Sequence, residues 1–170
     1  MLPRKSEILI VFIAIVISCA VISFYGVSES SEPTISIDTL LSAPEQVEID
    51  GHRYVLETYL WRDFMPNCPP DGRPLIALIK ISTADSSEFP SSIDTDRSWV
   101  IKDEKVWETK FSKEKVPPEF PGDHKLKKIA RNGPKWSPEI QVDVVVRIID
   151  TQNNKTYLLR ALKQMIYRTD

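Results

Sequence analysis

The chain has 170 residues, and its 22 Lys and Arg nearly balance its 24 Asp and Glu. This balance argues against a nucleic-acid-binding protein, which needs a basic excess and a recognition motif. The five glycines form no phosphate-binding loop, dinucleotide fingerprint or nucleophile elbow, and no Cys/His cluster has metal-ligand spacing. We therefore predict no cofactor, no metal site and no nucleic-acid partner.

An uncharged apolar run occupies residues 8–27. At about 1.5 Å per residue, a helix of this length crosses the ~30 Å hydrocarbon layer of a bilayer. Arg4 and Lys5 precede the run, and such basic residues tend to stay in the cytoplasm. The run therefore predicts a single-pass transmembrane anchor with residues 1–7 in the cytoplasm.

Two processed forms are alternatives to an uncleaved anchor. A signal peptide could be cleaved after Ala20, although its apolar core is usually shorter than this run. The sequence Val-Ile-Ser-Cys that ends at Cys19 resembles a bacterial lipobox, which implies lipidation of that cysteine and a protein of the bacterial envelope. All three forms predict a C-terminal domain on the periplasmic or extracellular side of the cell membrane.

Residues 28–44 are rich in Ser, Glu, Thr and Pro, which predicts a tether. The apolar residues near its end are expected to pack on the domain as a first edge strand. Residues 45–170 then form a domain large enough to bury a core without disulfides or metal. Cys68 is its only cysteine, so no disulfide is expected within it.

The first predicted elements are a hairpin and a buried strand. Asp50-Gly51 joins two alternating segments, 47–49 and 52–60, as in a tight type I′ turn. Residues 75–81 are apolar on both faces, which predicts a central strand. A loop is expected over 83–97.

Two more hairpins are predicted in the second half of the domain. One joins residues 99–101 to 106–111, and a loop region with a short strand at 126–130 follows it. The other joins 140–149 to 157–167, and its residues Val142, Val144, Val146 and Ile148 form one apolar face. Helix is the competing interpretation for 157–168, because its leucines also fit helical spacing.

Seven or eight short strands without a repeat predict an all-β domain. The expected fold is an antiparallel immunoglobulin-like β-sandwich, preceded by the transmembrane helix. The likeness is one of architecture, since the Cys…Trp…Cys pattern of true immunoglobulin domains is absent from the sequence.

Two stretches are candidates for contact with a partner. Trp61, Arg62 and Asp63 place aromatic, cationic and anionic side chains at a loop entrance, a mixture typical of recognition sites. The alternative is that Arg62 and Asp63 pair to hold the loop. A basic segment (Lys125, Lys127, Lys128 and Arg131) could contact anionic headgroups, glycans or an acidic protein, or could be a solvated edge strand.

The leading functional hypothesis is a membrane-anchored domain that binds an envelope protein, a glycan or the membrane surface. Enzyme activity is not predicted, because no catalytic motif supports it. The alternatives are an envelope hydrolase that uses His52 or His124 and a structural subunit of a membrane complex. The sequence Asn154-Lys155-Thr156 also matches a glycosylation acceptor in an exported turn.

Overall fold

The structure, a computed structural model, describes residues 34–118 and 123–170. Ile35–Asp170 forms one compact unit. The predicted anchor, the lipobox cysteine Cys19 and the first part of the predicted tether lie outside the described residues. Within the described residues, no helix is long and apolar enough to cross a membrane.

The described residues of this unit form one short helix and eight strands, so the prediction of a nearly all-β domain is confirmed. The elements in chain order are α1 (Ile37–Leu41), β1 (Gln46–Ile49), β2 (His52–Asp63), β3 (Leu75–Thr83), β4 (Ile93–Lys102), β5 (Lys105–Lys110), β6 (Leu126–Gly133), β7 (Gln141–Asp150) and β8 (Lys155–Thr169).

The strands follow the order β5-β4-β7-β8-β2-β3-β6, with β1 added beside β2. All pairs are antiparallel except β2 with β8, which run parallel. The prediction of purely antiparallel pairing is therefore wrong at this junction. The parallel pairing arises because β8 is longer than its hairpin partner β7. Lys155–Met165 pairs with β7, and the following Ile166–Thr169 pairs with the end of β2.

The two ends of this order, β5 and β6, approach each other and leave the sheet nearly closed into a barrel. Ser112 donates its N–H to the carbonyl of Ile129 at 2.8 Å. The Trp107 ring lies so close to Gly133 that a Cβ there would be 2.7 Å from it. Glycine is therefore required at this point of β6, although glycine usually weakens a strand interior.

The main core fills the space inside the curved sheet. Its fully buried members include Leu60, Ile79, Val144, Val146, Ile148, Leu159 and Ile166. The predicted inward face of β7 is confirmed. The prediction of β3 as a central strand is also confirmed, since β3 lies between β2 and β6.

A second core lies on the outer side of β4, β7 and β8, beneath α1. Leu40 and Ala43 pack there on Trp99, Ile101 and Val145. The segment predicted as an edge strand is thus a helix instead, and Ser36 begins it by accepting a hydrogen bond from the Thr39 N–H at 3.2 Å. A Ser at this position is a preferred N-cap.

The same helix explains why β8 resembled a helix in sequence. Leu159 faces the main core, and Leu158 on the opposite side packs against the cluster under α1. A strand covered on both sides needs no polar alternation, so its leucines also matched helical spacing. The strand interpretation of this segment is confirmed.

We expect Val144→Asp to lower the free energy of unfolding by about 3–5 kcal/mol, because it places an uncompensated carboxylate in the main core. Val144 is fully buried between Val100 and Ala161 of the neighbouring strands. Val106→Asp is the matched control, since Val106 is 40% exposed. Urea unfolding of both variants measures the difference, and equal midpoints would contradict the register of β7.

Candidate functional site

Arg62 is a structural residue of the loops at one end of the domain. Only 3% of it is exposed. Its guanidinium donates to the carbonyls of Arg73 at 2.9 Å, Trp136 at 3.0 Å and Lys135 at 3.3 Å, and also to that of Asp71. Burial lowers the pKa of Arg62 from its usual value, but an arginine stays protonated in proteins. The buried guanidinium thus connects the 64–74 loop to the 134–140 loop.

Phe64 lies two residues after Arg62 and also holds the 64–74 loop in place. Its ring lies between two guanidinium groups, with the Cζ of Arg62 at 4.9 Å and the Cζ of Arg168 at 4.1 Å from its centroid. A Cβ on Gly72 would come within 2.6 Å of the same ring, and Gly72 has a φ of +73°. Stacked cations and a close glycine give the loop one defined path.

Asp63 does not pair with Arg62, contrary to one of the two interpretations of the sequence. Its carboxylate accepts the N–H of Met65 at 3.0 Å and lies 3.6 Å from the Nε of Arg73. Arg73 also donates from Nε to the Sγ of Cys68 at 3.2 Å. These contacts shape the loop, and Asp63 stays half-buried at its start.

The four predicted basic residues are each paired with a carboxylate. Lys125 lies 2.8 Å from Glu57, Lys128 lies 2.8 Å from Asp94, and Arg131 contacts both oxygens of Glu114 at 2.9 and 3.1 Å. Lys127 pairs with Asp123, and both side chains are nearly fully buried. Lys127, Lys128 and Arg131 lie in β6, and Lys125 directly precedes it. Each of these cations is paired with its own carboxylate instead of contributing to one basic patch.

The two histidines lie on opposite faces of β2 and its neighbours. His52 is on the inward side of β2, where its ring centroid is 6.4 Å from that of Tyr54. His124 is exposed and lines an outer cleft of about 300 Å³ with Glu57, Ser82, Ser86, Ser87 and Asp123. No imidazole–serine hydrogen bond is formed in 34–118 or 123–170, and these ranges contain no group of residues that could hold a metal ion.

The structure also assembles an aromatic surface that sequence reasoning found only in part. Tyr59 and Trp61 alternate with core residues along β2, so both point outward. Trp61 pairs in register with Tyr167 of β8, whose ring stacks on that of Tyr59 with centroids 5.2 Å apart and planes at 22°. The rings of Tyr59 and Trp61 are 5.3 Å apart. Tyr59 and Tyr167 are 41% and 47% exposed.

Two aliphatic residues extend this surface onto β3. Ile76 pairs with Trp61 and Leu78 pairs with Tyr59, so both lie on the outward side. We call these five residues the aromatic face: Tyr59, Trp61, Ile76, Leu78 and Tyr167. None carries a charge. Clustered large apolar groups that are exposed or partly exposed, as these are, often mark an interaction site.

The two outer sides of the domain differ in how much of their apolar surface is covered. The outer side of β4, β7 and β8 is covered by α1. Over the aromatic face, Tyr59 and Tyr167 keep much of their surface accessible. Of the predicted contact residues, Trp61 alone belongs to this face, whereas Arg62 is buried in the loops, Lys125 directly precedes β6 and the other basic residues are on β6. Asn154 lies in the exposed β7–β8 turn with a φ of 55°.

Comparison with protein-family models, with curated protein sequences and with solved structures finds no match to this chain.

We expect Arg62→Lys to lower the free energy of unfolding by about 2–4 kcal/mol, because a single ammonium cannot reach carbonyls on two loops. Arg168→Lys is the matched control. It removes the second guanidinium from Phe64, but Arg168 is exposed and its side chain forms an ion pair with Asp170 instead of binding loop carbonyls. Thermal unfolding compares the two, and a fully stable Arg62→Lys variant would show that the carbonyl contacts are dispensable.

Proposed function

We propose that this chain is a single-pass membrane protein whose C-terminal domain, outside the cytoplasm, binds a partner through the aromatic face. The uncharged run at residues 8–27 and the basic residues before it support the anchor and its orientation. The observation that carries the binding role is the cluster of Tyr59, Trp61 and Tyr167 on the outer side of the sheet, in which the two tyrosines are exposed and Trp61 is partly buried.

The composition of this face supports contact with another molecule. Tyrosine and tryptophan are enriched in binding surfaces, because each buries a large apolar area and keeps a polar group for the rim. The rings are held in place by strand register and by one another, so little side-chain entropy is lost on binding. The candidate partners are an envelope protein, a glycan and the membrane surface.

The immunoglobulin-like sandwich remains part of this proposal. A main core enclosed between β5-β4-β7-β8 and β1-β2-β3-β6 supports a description as two facing layers. The shared strand β8 would then be the link between these layers.

A hydrolase is the second candidate, and one observation favours it. His124 lines the same cleft as Ser82, Ser86 and Ser87, so an imidazole and several hydroxyls share one opening. Nucleophilic catalysis needs such a neighbourhood, with the base within hydrogen-bond reach of the nucleophile. A structural subunit of a membrane complex is a third possibility.

Occupancy of the aromatic face can be measured by cysteine labelling in native membranes. In a background that carries both Cys19→Ser and Cys68→Ser, Tyr167→Cys should react several-fold more slowly with a membrane-impermeant maleimide in native membranes than after solubilisation in mild detergent. The reason is that the proposed partner covers this position. Val106→Cys on β5 is the control and should react equally in both states. Equal reactivity of position 167 in both states would count against a bound partner.

The same two variants test the orientation of the domain. In intact cells the impermeant reagent should label Val106→Cys without permeabilisation. Labelling that requires permeabilised cells would place the domain on the cytoplasmic side and overturn that part of the proposal.

Replacing each histidine with alanine separates the binding role from the hydrolase. His52→Ala and His124→Ala should both retain the protection of position 167, because neither imidazole belongs to the aromatic face. A screen of ester, amide and glycoside substrates with the purified protein provides the second readout. Turnover that His124→Ala abolishes would favour the hydrolase.

A further inference from the structure

We propose that the aromatic face rests on the neutral interfacial layer of the bilayer that holds the chain. This inference depends on the proposed anchored binding domain and names its partner as the zwitterionic headgroup region itself. It is carried by the position of the domain in the chain, by the chemistry of the five residues of the aromatic face and by the pairing of the cations of the basic segment.

The first argument is the length of chain between the anchor and the domain. Seven residues, 28–34, connect the end of the apolar run to the start of the compact unit at Ile35. Even fully extended, they span at most about 25 Å, at about 3.5 Å per residue. In the proposed anchored protein, this length would keep the domain within reach of the headgroups, and a short tether raises the effective concentration of the two surfaces to the millimolar range. A weak contact is enough under these conditions.

The second argument is the chemistry of the face. Tyr and Trp concentrate at membrane–water interfaces, where the ring enters the apolar boundary and the hydroxyl or indole N–H stays hydrated. Tyr59, Trp61 and Tyr167 provide three such groups on one surface, and Ile76 and Leu78 add aliphatic area beside them. The five residues carry no charge, so entry into the interface removes no ionised group of this set from water.

The third argument is that the nearby cations do not form an attractive patch for anionic lipid. Lys125, Lys128 and Arg131 each contact a carboxylate at 2.8–2.9 Å. A polybasic segment is attracted to an anionic surface through uncompensated positive charge. Since these cations are paired with carboxylates, the aromatic face is the surface that we expect to favour the membrane, and the contact should not depend on lipid charge.

A glycan fits the same face less well. Sugar binding on aromatic residues uses a free ring face, but here the rings lie 5.2 and 5.3 Å from each other at angles of 22° and 32°. Tyr59 and Tyr167 are stacked, and Trp61 is tilted against Tyr59, so part of the Tyr59 ring face is already covered. The exposed edges and hydroxyls suit a layer of headgroups and glycerol esters better than a sugar ring.

Tryptophan quenching in defined vesicles tests the proposal with the full-length chain. All four tryptophans are at positions 61, 99, 107 and 136, so none lies in the predicted anchor. In phosphatidylcholine vesicles whose lipids are brominated near the start of the acyl chain, emission should fall by roughly a quarter, because one of four rings reaches the interface. Trp61→Phe should abolish this quenching.

Two further variants separate the face from unfolding and from general surface effects. Tyr167→Ser removes an exposed ring, keeps Trp61, and should reduce the quenching at least two-fold. Val106→Ser alters an exposed apolar residue on β5 and should leave the quenching unchanged. Circular dichroism and a melting curve of each reconstituted variant check that the sheet is intact. Quenching that survives in Trp61→Phe, or that is equal for Tyr167→Ser and wild type, would overturn the proposal.

The same vesicles test whether the contact depends on lipid charge and whether the partner is the lipid itself. Exchange of a third of the lipid for phosphatidylglycerol, or addition of 1 M salt, should leave the quenching unchanged. Quenching that needs the anionic lipid and disappears in salt would assign the contact to basic residues and overturn the inference. Protection of position 167 in native membranes without quenching in pure vesicles would also overturn it, while the binding face would stand with a protein or glycan partner.

Discussion

The parallel pairing of the last residues of β8 with the end of β2 is the constraint on which most of this structure depends. Up to Met165, β8 completes the antiparallel set with β7, and from Ile166 it pairs with β2. This one strand therefore joins β5-β4-β7 to β2-β3-β6 and lets the sheet curve around a single core. It also sets the aromatic face, because Tyr167 meets Trp61 only in this register.

The junction is stabilised from the loop side as well as from the core. Phe64 donates its N–H to the carbonyl of Thr169 at 2.8 Å, and the Thr169 hydroxyl donates to the carbonyl of Arg62 at 3.3 Å. The guanidinium of Arg62 then fastens two loops to the same end of the sheet. A buried arginine that satisfies backbone carbonyls gives a unique loop arrangement, since each unpaired carbonyl would cost free energy.

Much of the fold could be predicted because strand periodicity and turn chemistry are local. Asp50-Gly51 marked the first turn, and the alternation of Val142 to Ile148 identified the inward face of β7. The start of β4 was missed, because Asp94, Asp96 and Arg97 made a strand resemble a polar loop. The parallel junction was also missed, since it joins segments about a hundred residues apart and no short-range pattern encodes it.

Of the candidate site, too, only the parts that are local in sequence could be predicted. Trp61 was found from its own neighbourhood in sequence, but Tyr167 joins it through tertiary pairing. The basic segment was visible as a run of cations, whereas its carboxylate partners Glu57, Asp94 and Glu114 come from three other parts of the chain. A charge run in sequence therefore overstates surface potential, because the fold can neutralise each charge separately.

The two sides of β2 lie in different environments, one in the main core and the other on the surface of the domain. Tyr54 and Leu60 face inward and are almost fully buried in the main core, while Tyr59 and Trp61 alternate with core positions and face outward. Neighbouring residues on a strand belong to different environments, so changes on the outward side leave the core packing in place. Arg62 directly follows Trp61 and is buried, and its guanidinium binds carbonyls of the loops instead of packing in the main core. The inward side of β2 holds this strand in the core. The rings of the aromatic face can therefore be replaced while the backbone that presents them keeps its position.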